Sequence, residues 1–269
     1  MSLSETSRSG APDRIRVPNV GIGQISAVRR FQGVTVLGVD EPVLTPAPAS
    51  SWSVSRAKRA IDIIAASLGL IACLPTILLV AIIVRLTSEG PVFFAQKRVG
   101  RHGKLFTIYK FRSMVTETGQ HWSSHTKHQD PRLTAIGGWL RKYKLDELPQ
   151  LINVILGDMS LVGPRPKVSG HESILMKYRP GITGAATLAF RREEELLQHV
   201  PIKELESFYS ANIRPVKHNL DSEYMARATF SSDLTMLLQT VKACLTPRTQ
   251  KIAIVKPKEH RPLLNEGTD

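Results

Sequence analysis

Two adjacent carboxylates, Asp146 and Glu147, lie between leucines in the stretch RKYKLDELPQLINVILGDMSLVGPRP at 141–166. A proline two positions later prevents a simple helical continuation, and apolar residues follow. A carboxylate beside buried apolar residues costs free energy unless a cation or a metal compensates it. The pair therefore predicts either a structural turn held by an ion pair to Arg141 or Arg165, or a nucleophile beside a ligand of a divalent cation.

The residues around the acidic pair are of the types that bind phosphate. Arg141, Lys142 and Lys144 precede the pair, and a Gly-Pro-Arg-Pro turn at 163–166 follows it. Arginine presents a planar fork of donors that matches phosphate oxygens. This setting favours chemistry on a phosphate ester over a purely structural ion pair.

The run LDELPQLINVILGDMSLVGPRP resembles the signature of the bacterial sugar transferases. These are the monotopic polyprenyl-phosphate phosphoglycosyl transferases of exopolysaccharide, O-antigen and glycoprotein pathways. Three further blocks match in order: KRAIDIIAASLGLIACLP at 58–75, SEGPVFFAQKRVGRHGKLFTIYKFRSM at 88–114 and YRPGITGAATL at 178–188. The resemblance covers about 58–245, and four ordered motifs make it specific.

The resemblance implies an enzyme that transfers a sugar-1-phosphate from a UDP-sugar to a polyprenyl phosphate such as undecaprenyl phosphate, releasing UMP. Asp146 matches the family's nucleophile, which would form a phosphosugar-aspartyl ester, and Glu147 matches the residue that holds Mg²⁺. A carboxylate attacking a charged diphosphate needs strong neutralisation, which Mg²⁺ and arginines supply. The predicted substrate-binding residues are Arg141, Arg165, Pro164, Lys110 and Arg112.

Composition agrees with a phosphate-rich partner at a membrane. The 269 residues suffice for one core plus appendages, 42% of them are apolar, and the net charge is +13. Two cysteines, Cys73 and Cys244, make neither a disulfide framework nor a CxxC site, which predicts a reducing compartment. Residues 1–50 lack the apolar region of a secretory signal.

These observations predict partners and a location. The partners are a UDP-sugar, a polyprenyl phosphate and membrane lipids but no nucleic acid, with a homodimer left open. The location is the cytoplasmic face of the bacterial inner membrane. Two rival classes remain open. One is a membrane-anchored basic protein that binds anionic lipid or nucleic acid without catalysis, and the other is a glycosyltransferase that releases UDP.

The strongest element is an apolar stretch without a charged residue at 63–84. As a straight helix it is about 33 Å long, enough to span a bilayer core. However, Pro75 sits past its middle, and basic residues flank both ends, which the positive-inside rule places on the same side. We therefore expect a helix broken at Pro75 that re-enters the face it left, as in the family. The family commonly has serine before this proline, whereas this chain has Leu74.

The predicted fold class is α+β, mainly helical. It combines a membrane re-entrant helix-break-helix hairpin, interfacial amphipathic helices and a small cytosolic catalytic domain with short strands. The domains are a flexible leader at 1–52, the hairpin at 53–87, the catalytic domain with its interfacial helices at 88–245 and a disordered basic tail at 246–269.

Local patterns predict further elements. Strands are expected at 34–39, 92–94 and 106–109. Helices are expected at 131–140, with Thr134 as N-cap, at 170–178 and at 222–245; the last is amphipathic and suits a core or a membrane interface equally.

Several charged groups have open interpretations. Asp62 is expected to pair with Arg59 or Arg56. Most of the six cations at 97–112 are expected to touch anionic headgroups. The acidic run at 193–195 is read as a solvated face, with a substrate-selecting role as the alternative. His121, His125 and His128 have helical metal-site spacing, but their surroundings and the family favour a loop.

Overall fold

The computed structural model describes residues 27–31, 34–38, 49–115, 130–168, 176–191, 193–198 and 200–245. The predicted class, α+β and mainly helical with short strands, is confirmed. The helices are α1 (Arg56–Thr87), α2 (Gly137–Lys142), α3 (Gln150–Leu156), α4 (Ala185–Ala189), α5 (Glu193–Leu197), α6 (Leu205–Phe208), α7 (Arg214–Arg227) and α8 (Phe230–Leu245). The strands are β1 (Ala27–Phe31), β2 (Val34–Gly38), β3 (Phe93–Val99), β4 (Leu105–Phe111), β5 (Ser160–Val162), β6 (Lys167–Val168) and β7 (Gly181–Thr183).

The strands form small sheets of two or three strands each. An antiparallel sheet has the order β4-β3-β6, with Phe94 opposite Lys110, and β5 pairs with β7 in parallel. The strands expected near 92–94 and 106–109 are present and longer than predicted. The strand expected at 34–39 is β2, which pairs with β1.

Helix α1 is continuous, so the predicted interruption of helical conformation at Pro75 is wrong; a re-entrant course would require a bend within the helix. The helix runs through this proline without interruption. A proline removes only its own backbone hydrogen bond, and the bonds of the neighbouring turns can carry a helix past it. Among the described helices α1 alone is long and apolar enough to cross a membrane, and only 11% of its most apolar stretch is buried.

Both halves of α1 pack against the rest of the protein. Ala66, in the first half, is fully buried in the main core beside α3. Val80 and Val84, in the second half, form a separate core with Phe111 of β4 and Leu140 of α2. No residue of α1 between Ala66 and Val80 is buried, so the helix contacts the domain at its two ends and exposes its middle.

The start of α1 is tied to the last helix by a buried polar network. Lys58 Nζ donates to Asp233 Oδ2 of α8 over 2.6 Å. Trp52 Nε1 donates to the same oxygen over 2.9 Å, and the Tyr224 hydroxyl donates to Oδ1 over 2.6 Å. These charge-assisted bonds compensate a carboxylate and an ammonium that are both shielded from water.

Asp62 does not pair with Arg59 or Arg56 as expected. It lies 3.6 Å from Lys58, one helical turn earlier, and accepts a hydrogen bond from Ser160 Oγ over 2.8 Å. Arg59 instead donates to backbone carbonyls at the end of α3. The i, i+4 spacing favours the lysine, since Lys58 lies one turn before Asp62 on the same face.

The single helix expected at 222–245 is two helices. α7 ends at Arg227 and α8 begins at Phe230, because Thr229 and Ser232 cap the new helix reciprocally. Ser232 N donates to Thr229 Oγ1 over 3.2 Å, and Thr229 N donates to Ser232 Oγ over 2.9 Å. This exchange satisfies amide groups that a helix start leaves free.

Two smaller predictions also differ from the structure. Thr134 is not an N-cap; its amide bonds to the Ser113 carbonyl beside a β-bridge, and α2 begins only at Gly137. The helix expected at 170–178 falls mostly outside the described residues, and its described end at 176–178 is not helical. The three histidines at 121–128, the start of the leader and the basic tail also lie outside the described residues.

Candidate active site

The acidic pair lies on a tight turn between α2 and α3. Lys144 adopts a left-handed conformation with a φ of 59°, and one 3-10 turn, Leu145–Glu147, carries both carboxylates. Pro149 then serves as the N-cap of α3. Leu145 packs against the core formed by the second half of α1, and the side chains of Asp146 and Glu147 are buried.

Glu147 is held by two cations. Its Oε1 accepts hydrogen bonds from Lys110 Nζ over 2.9 Å and from Arg165 Nη2 over 2.6 Å. Burial alone would raise the pKa of Glu147, but the nearby charges of Arg165 and Lys110 hold that pKa well below its usual range. The structure thus brings together three of the predicted site residues, Glu147, Lys110 and Arg165. Arg141 and Arg165 were the two expected ion-pair partners of the acidic pair, and Arg165 makes that contact.

Asp146 has the opposite environment. Its Oδ1 is buried and has no hydrogen-bond partner among the described residues. Burial, and next the negative charge of Glu147, raise the pKa of Asp146 above its usual value. A carboxylate oxygen that is desolvated and unbonded retains its basicity, which is the property that a nucleophile needs.

Asn153 joins α3, the helix that follows the acidic pair, to β4, the strand that carries Lys110. It is fully buried; its Nδ2 donates to the Thr107 carbonyl over 2.7 Å and its Oδ1 accepts from the Tyr109 amide over 3.1 Å. Both partners belong to β4, the strand that ends beside Lys110. Sequence reasoning missed Asn153, although a lone amide inside the apolar run LINVIL was a visible signal.

The Gly-Pro-Arg-Pro turn at 163–166 is built by close backbone packing against the start of β7. The Gly181 amide donates to the buried Pro164's carbonyl over 2.8 Å. A Cβ on Gly181 would lie 2.1 Å from the Gly163 amide, so only glycine fits there. This contact holds the backbone just before Arg165, and the pairing of β6 with β3 holds the backbone after it, while the Arg165 side chain reaches Glu147.

Arg98 is a further cation at the site that sequence reasoning assigned to the membrane. It donates to the Pro166 carbonyl over 3.3 Å, and its Nε is buried without a partner among the described residues. Burial, and next the charge of Arg165, lower the pKa of Arg98 to about 10. The register of β3 against β6 places Arg98 beside the Gly-Pro-Arg-Pro turn, and the sequence alone did not reveal this register.

Arg141 does not contact the acidic pair. Its guanidinium pairs with Glu194 on α5, the centre of the acidic run. The neighbouring Glu193 binds Lys217 Nζ through both carboxylate oxygens, at 2.7 and 2.6 Å. The acidic run is therefore not a simple solvated face, because two of its members hold cations beside the site.

Arg112 lies away from the acidic pair as well. Its Nη2 donates to the carbonyl and the hydroxyl of Ser88 at 2.6 and 2.7 Å, at the end of α1. The side chain is buried, and its Nε and Nη1 have no partner among the described residues. These contacts describe an arginine that caps a helix C-terminus.

The donor set fits a hard divalent cation. Among the described residues no group of three or more potential ligands converges. Mg²⁺, however, usually takes one or two carboxylates and completes its shell with water and substrate phosphates. Glu147 would supply the carboxylate, because the bonds from Lys110 and Arg165 both fall on its Oε1.

Comparison with known proteins identifies the class. Residues 53–247 match the family described as bacterial sugar transferase, and the chain belongs to that family. The exopolysaccharide production protein ExoY of Rhizobium meliloti is 32% identical over 213 residues, which are 71% of this chain and 86% of that protein.

Two other relatives are longer proteins. The undecaprenyl-phosphate glucose phosphotransferase of Komagataeibacter xylinus is 43% identical over 166 residues, 56% of this chain and 31% of that protein. The UDP-glucose:undecaprenyl-phosphate glucose-1-phosphate transferase of Escherichia coli is 41% identical over 152 residues, 52% of this chain and 33% of that protein. The chain thus spans about a third of the length of these two relatives.

Proposed function

We propose that this protein transfers a sugar-1-phosphate from a UDP-sugar to a polyprenyl phosphate at the membrane and releases UMP, the first step in assembling an exopolysaccharide or a related glycan. The observation that carries the proposal is the difference in bonding between the two adjacent carboxylates. Glu147 accepts bonds from Lys110 and Arg165 on its Oε1, whereas the adjacent Asp146 keeps a buried oxygen that has no partner among the described residues. The family and its relatives' names support the same reaction.

In the proposed mechanism Asp146 attacks the phosphorus that carries the sugar. The P–O bond to UMP breaks as a phosphosugar-aspartyl ester forms, and UMP leaves as the anion. The phosphate oxygen of the lipid then attacks the same phosphorus, which frees Asp146 and gives the polyprenyl-diphosphate sugar. Each step passes the phosphoryl group between two anions, so neutralisation and positioning carry the catalysis.

The cations around the pair have separate tasks. Arg165 presents a bidentate fork to the donor phosphates from a turn that is fixed on both sides. Lys110 keeps Glu147 ionised and in place. Arg141 would bind phosphate once Glu194 releases it. Arg112 stays a substrate-binding prediction, although its contacts are those of a helix cap.

Mg²⁺ is the proposed cofactor, and Glu147 would hold it. When bound, it would supply positive charge to the donor diphosphate. The residues of the chain would do the remaining work: Asp146 as nucleophile, Arg165 and Arg98 as the flanking positive charges.

We further propose that the protein is monotopic and lies on the cytoplasmic face of the inner membrane, with α1 re-entering that face. The exposed middle of α1, residues 67–79, rises about 20 Å, less than the roughly 30 Å of a bilayer core. A straight span would pull Val80 and Val84 away from Phe111 and Leu140. α8 adds an exposed apolar stripe for the interface: Phe230, Leu234, Leu238, Val241 and Leu245.

Product analysis tests the reaction. Purified protein, a polyprenyl phosphate, Mg²⁺ and a panel of UDP-sugars should give UMP with one or a few sugars. Release of UDP would instead indicate a glycosyltransferase, and no nucleotide release with any sugar would favour a lipid-binding protein. Without acceptor, the intact protein should gain the mass of a phosphosugar.

Asp146→Asn keeps the shape of the side chain and removes its nucleophilic anion. UMP release should fall by several orders of magnitude, on the scale seen when a covalent nucleophile is lost. The mass adduct should vanish at the same time. Wild-type-like UMP release from this variant would exclude Asp146 as the nucleophile.

A further inference from the structure

A second group of cations lies at the far end of α3 from the acidic pair. A shallow, open cleft there is lined by side chains that include Arg59, Arg101 and Arg179, here named the arginine cluster. Lys58, Asp62 and Ser160 line the same cleft. α3 has seven residues, so the arginine cluster is about 10 Å along the helix axis from the start of α3, next to the catalytic turn.

Within the part of the chain that the structure describes, the three arginines donate to backbone carbonyls and to no side chain. Arg59 Nη2 donates to the Ile155 carbonyl over 3.1 Å, Arg179 Nε to the Gly157 carbonyl over 2.7 Å, and Arg101 Nε to the Lys177 carbonyl over 2.7 Å. None of the three has an ion pair with a carboxylate of the described residues. A guanidinium carries five donors, so each keeps N–H groups that these carbonyls do not use.

The cleft carries excess positive charge. Asp62 is already engaged by Lys58 and by the hydroxyl of Ser160. Burial, followed by the positive charges of Arg59 and Arg101, lowers the pKa of Arg179. Three arginines and Lys58 share this cleft, whereas Asp62 is the one carboxylate among its lining residues, so an anion would stabilise the site.

We propose that the arginine cluster binds the phosphate of an anionic phospholipid headgroup. Arg59 precedes the charge-free part of α1 by four residues, about 6 Å along the helix, which is the depth of headgroups if α1 enters the bilayer as proposed. The planar arginine forks match phosphate oxygens. A free phosphate ion offers the same oxygens, but only the phosphate of a lipid is held at headgroup depth by its acyl chains, so the lipid is the favoured source.

Lipid binding to the full chain in an uncharged detergent tests this site. Native mass spectrometry would count bound short-chain phosphatidylglycerol against phosphatidylcholine with the same chains, with and without inorganic phosphate. The wild type should prefer phosphatidylglycerol, and equimolar phosphate should not displace it. In Arg101→Gln/Arg179→Gln the affinity for phosphatidylglycerol should fall about tenfold or more.

Lys203→Gln/Arg227→Gln is the matched control, because it removes the same charge from exposed residues outside the cleft and outside the basic segment at 97–112. Its affinity should change less than about twofold. Equal losses in both double variants would show a diffuse surface potential and overturn the site. Displacement of the lipid by equimolar phosphate would overturn the choice of lipid.

Stability measurements separate binding from a structural role. If the double arginine variant unfolds at a lower temperature but binds lipid normally, the two arginines only stabilise the fold through their backbone carbonyls and the proposal is wrong. If that variant does not fold, Arg101→Gln alone replaces it, because the Arg101 contact lies at the surface. UMP release in detergent is measured separately. Normal UMP release without selective lipid binding would reject the lipid site alone, whereas loss of UMP release in the wild type would reject the proposed reaction.

Discussion

At the scale of single residues, Asp146 and Glu147 show how neighbours in sequence acquire different chemistry. The two carboxylates are adjacent and both buried, yet among the described residues cations bond to Glu147 alone. A bound cation stabilises the charged form and lowers nucleophilicity, whereas burial without partners does the reverse. The two carboxylates differ because Lys110 of β4 and Arg165 of the 163–166 turn both reach Glu147.

Arg165→Lys tests the need for a bidentate fork. A lysine keeps the charge but cannot bridge Glu147 and a phosphate at once, so kcat/KM for the UDP-sugar should fall roughly 10- to 100-fold. Arg227→Lys is the control, since Arg227 is exposed and pairs only across one turn of α7 with Glu223. Unchanged activity of Arg165→Lys would make Arg165 a structural cation.

Glu147→Gln tests the proposed role of the metal. The amide removes one negative ligand, so the Mg²⁺ concentration for half-maximal UMP release should rise about tenfold or more. Glu223→Gln on α7 should leave that concentration unchanged. The metal assignment is wrong if wild-type activity persists in EDTA.

Sequence reasoning identified the residues of the site better than their contacts. Glu147, Lys110 and Arg165 were selected by type and motif, and they do meet. Arg98 was assigned to the membrane, because a cation's direction on a strand depends on register, which sequence spacing does not fix. Asn153 was passed over because its role exists only across a long-range contact with β4.

At the scale of elements, the errors concern where helices end. Pro75 was expected to break α1, and 222–245 was expected to be continuous. The structure reverses both, because a proline costs one backbone bond whereas the Thr229 and Ser232 pair supplies two. The amphipathic pattern persists across that break, so periodicity alone could not detect it.

Asp221, where α7 packs against α4, makes the stability of the protein depend on pH. Its Oδ1 accepts the Ala186 amide over 3.0 Å, and burial raises the pKa of Asp221 to about 6. Because this pKa exceeds the unfolded value of about 3.9, the native state holds an extra proton, and stability is lost as the pH rises from about 4 through 6.

Asp221→Asn should remove this loss. Relative to wild type, its free energy of unfolding should be equal near pH 4 and higher by about 1–3 kcal/mol above pH 7. Thermal unfolding of both proteins across this range measures the difference. A difference that does not change with pH would contradict the assignment.

At the scale of the whole molecule, the position of α1 decides the topology. Single cysteines at Ser51→Cys and Glu89→Cys, in a background without Cys73 and Cys244, report the two sides of the helix. Both introduced sites are exposed. If α1 re-enters the cytoplasmic face, a membrane-impermeant thiol reagent should label neither in intact cells and both in opened cells. Labelling of one site alone in intact cells would establish a transmembrane helix.

The bond between Lys58 and Asp233 has a consequence for how the chain is made. The two residues are 175 positions apart, so the ribosome releases the first helix long before the partner of its buried ammonium exists. Val80 and Val84 likewise wait for Leu140. The nascent helix can enter lipid early, but its final seating must follow synthesis of α8. Nascent chains that end before Asp233 should therefore hold α1 loosely and be more readily digested by protease.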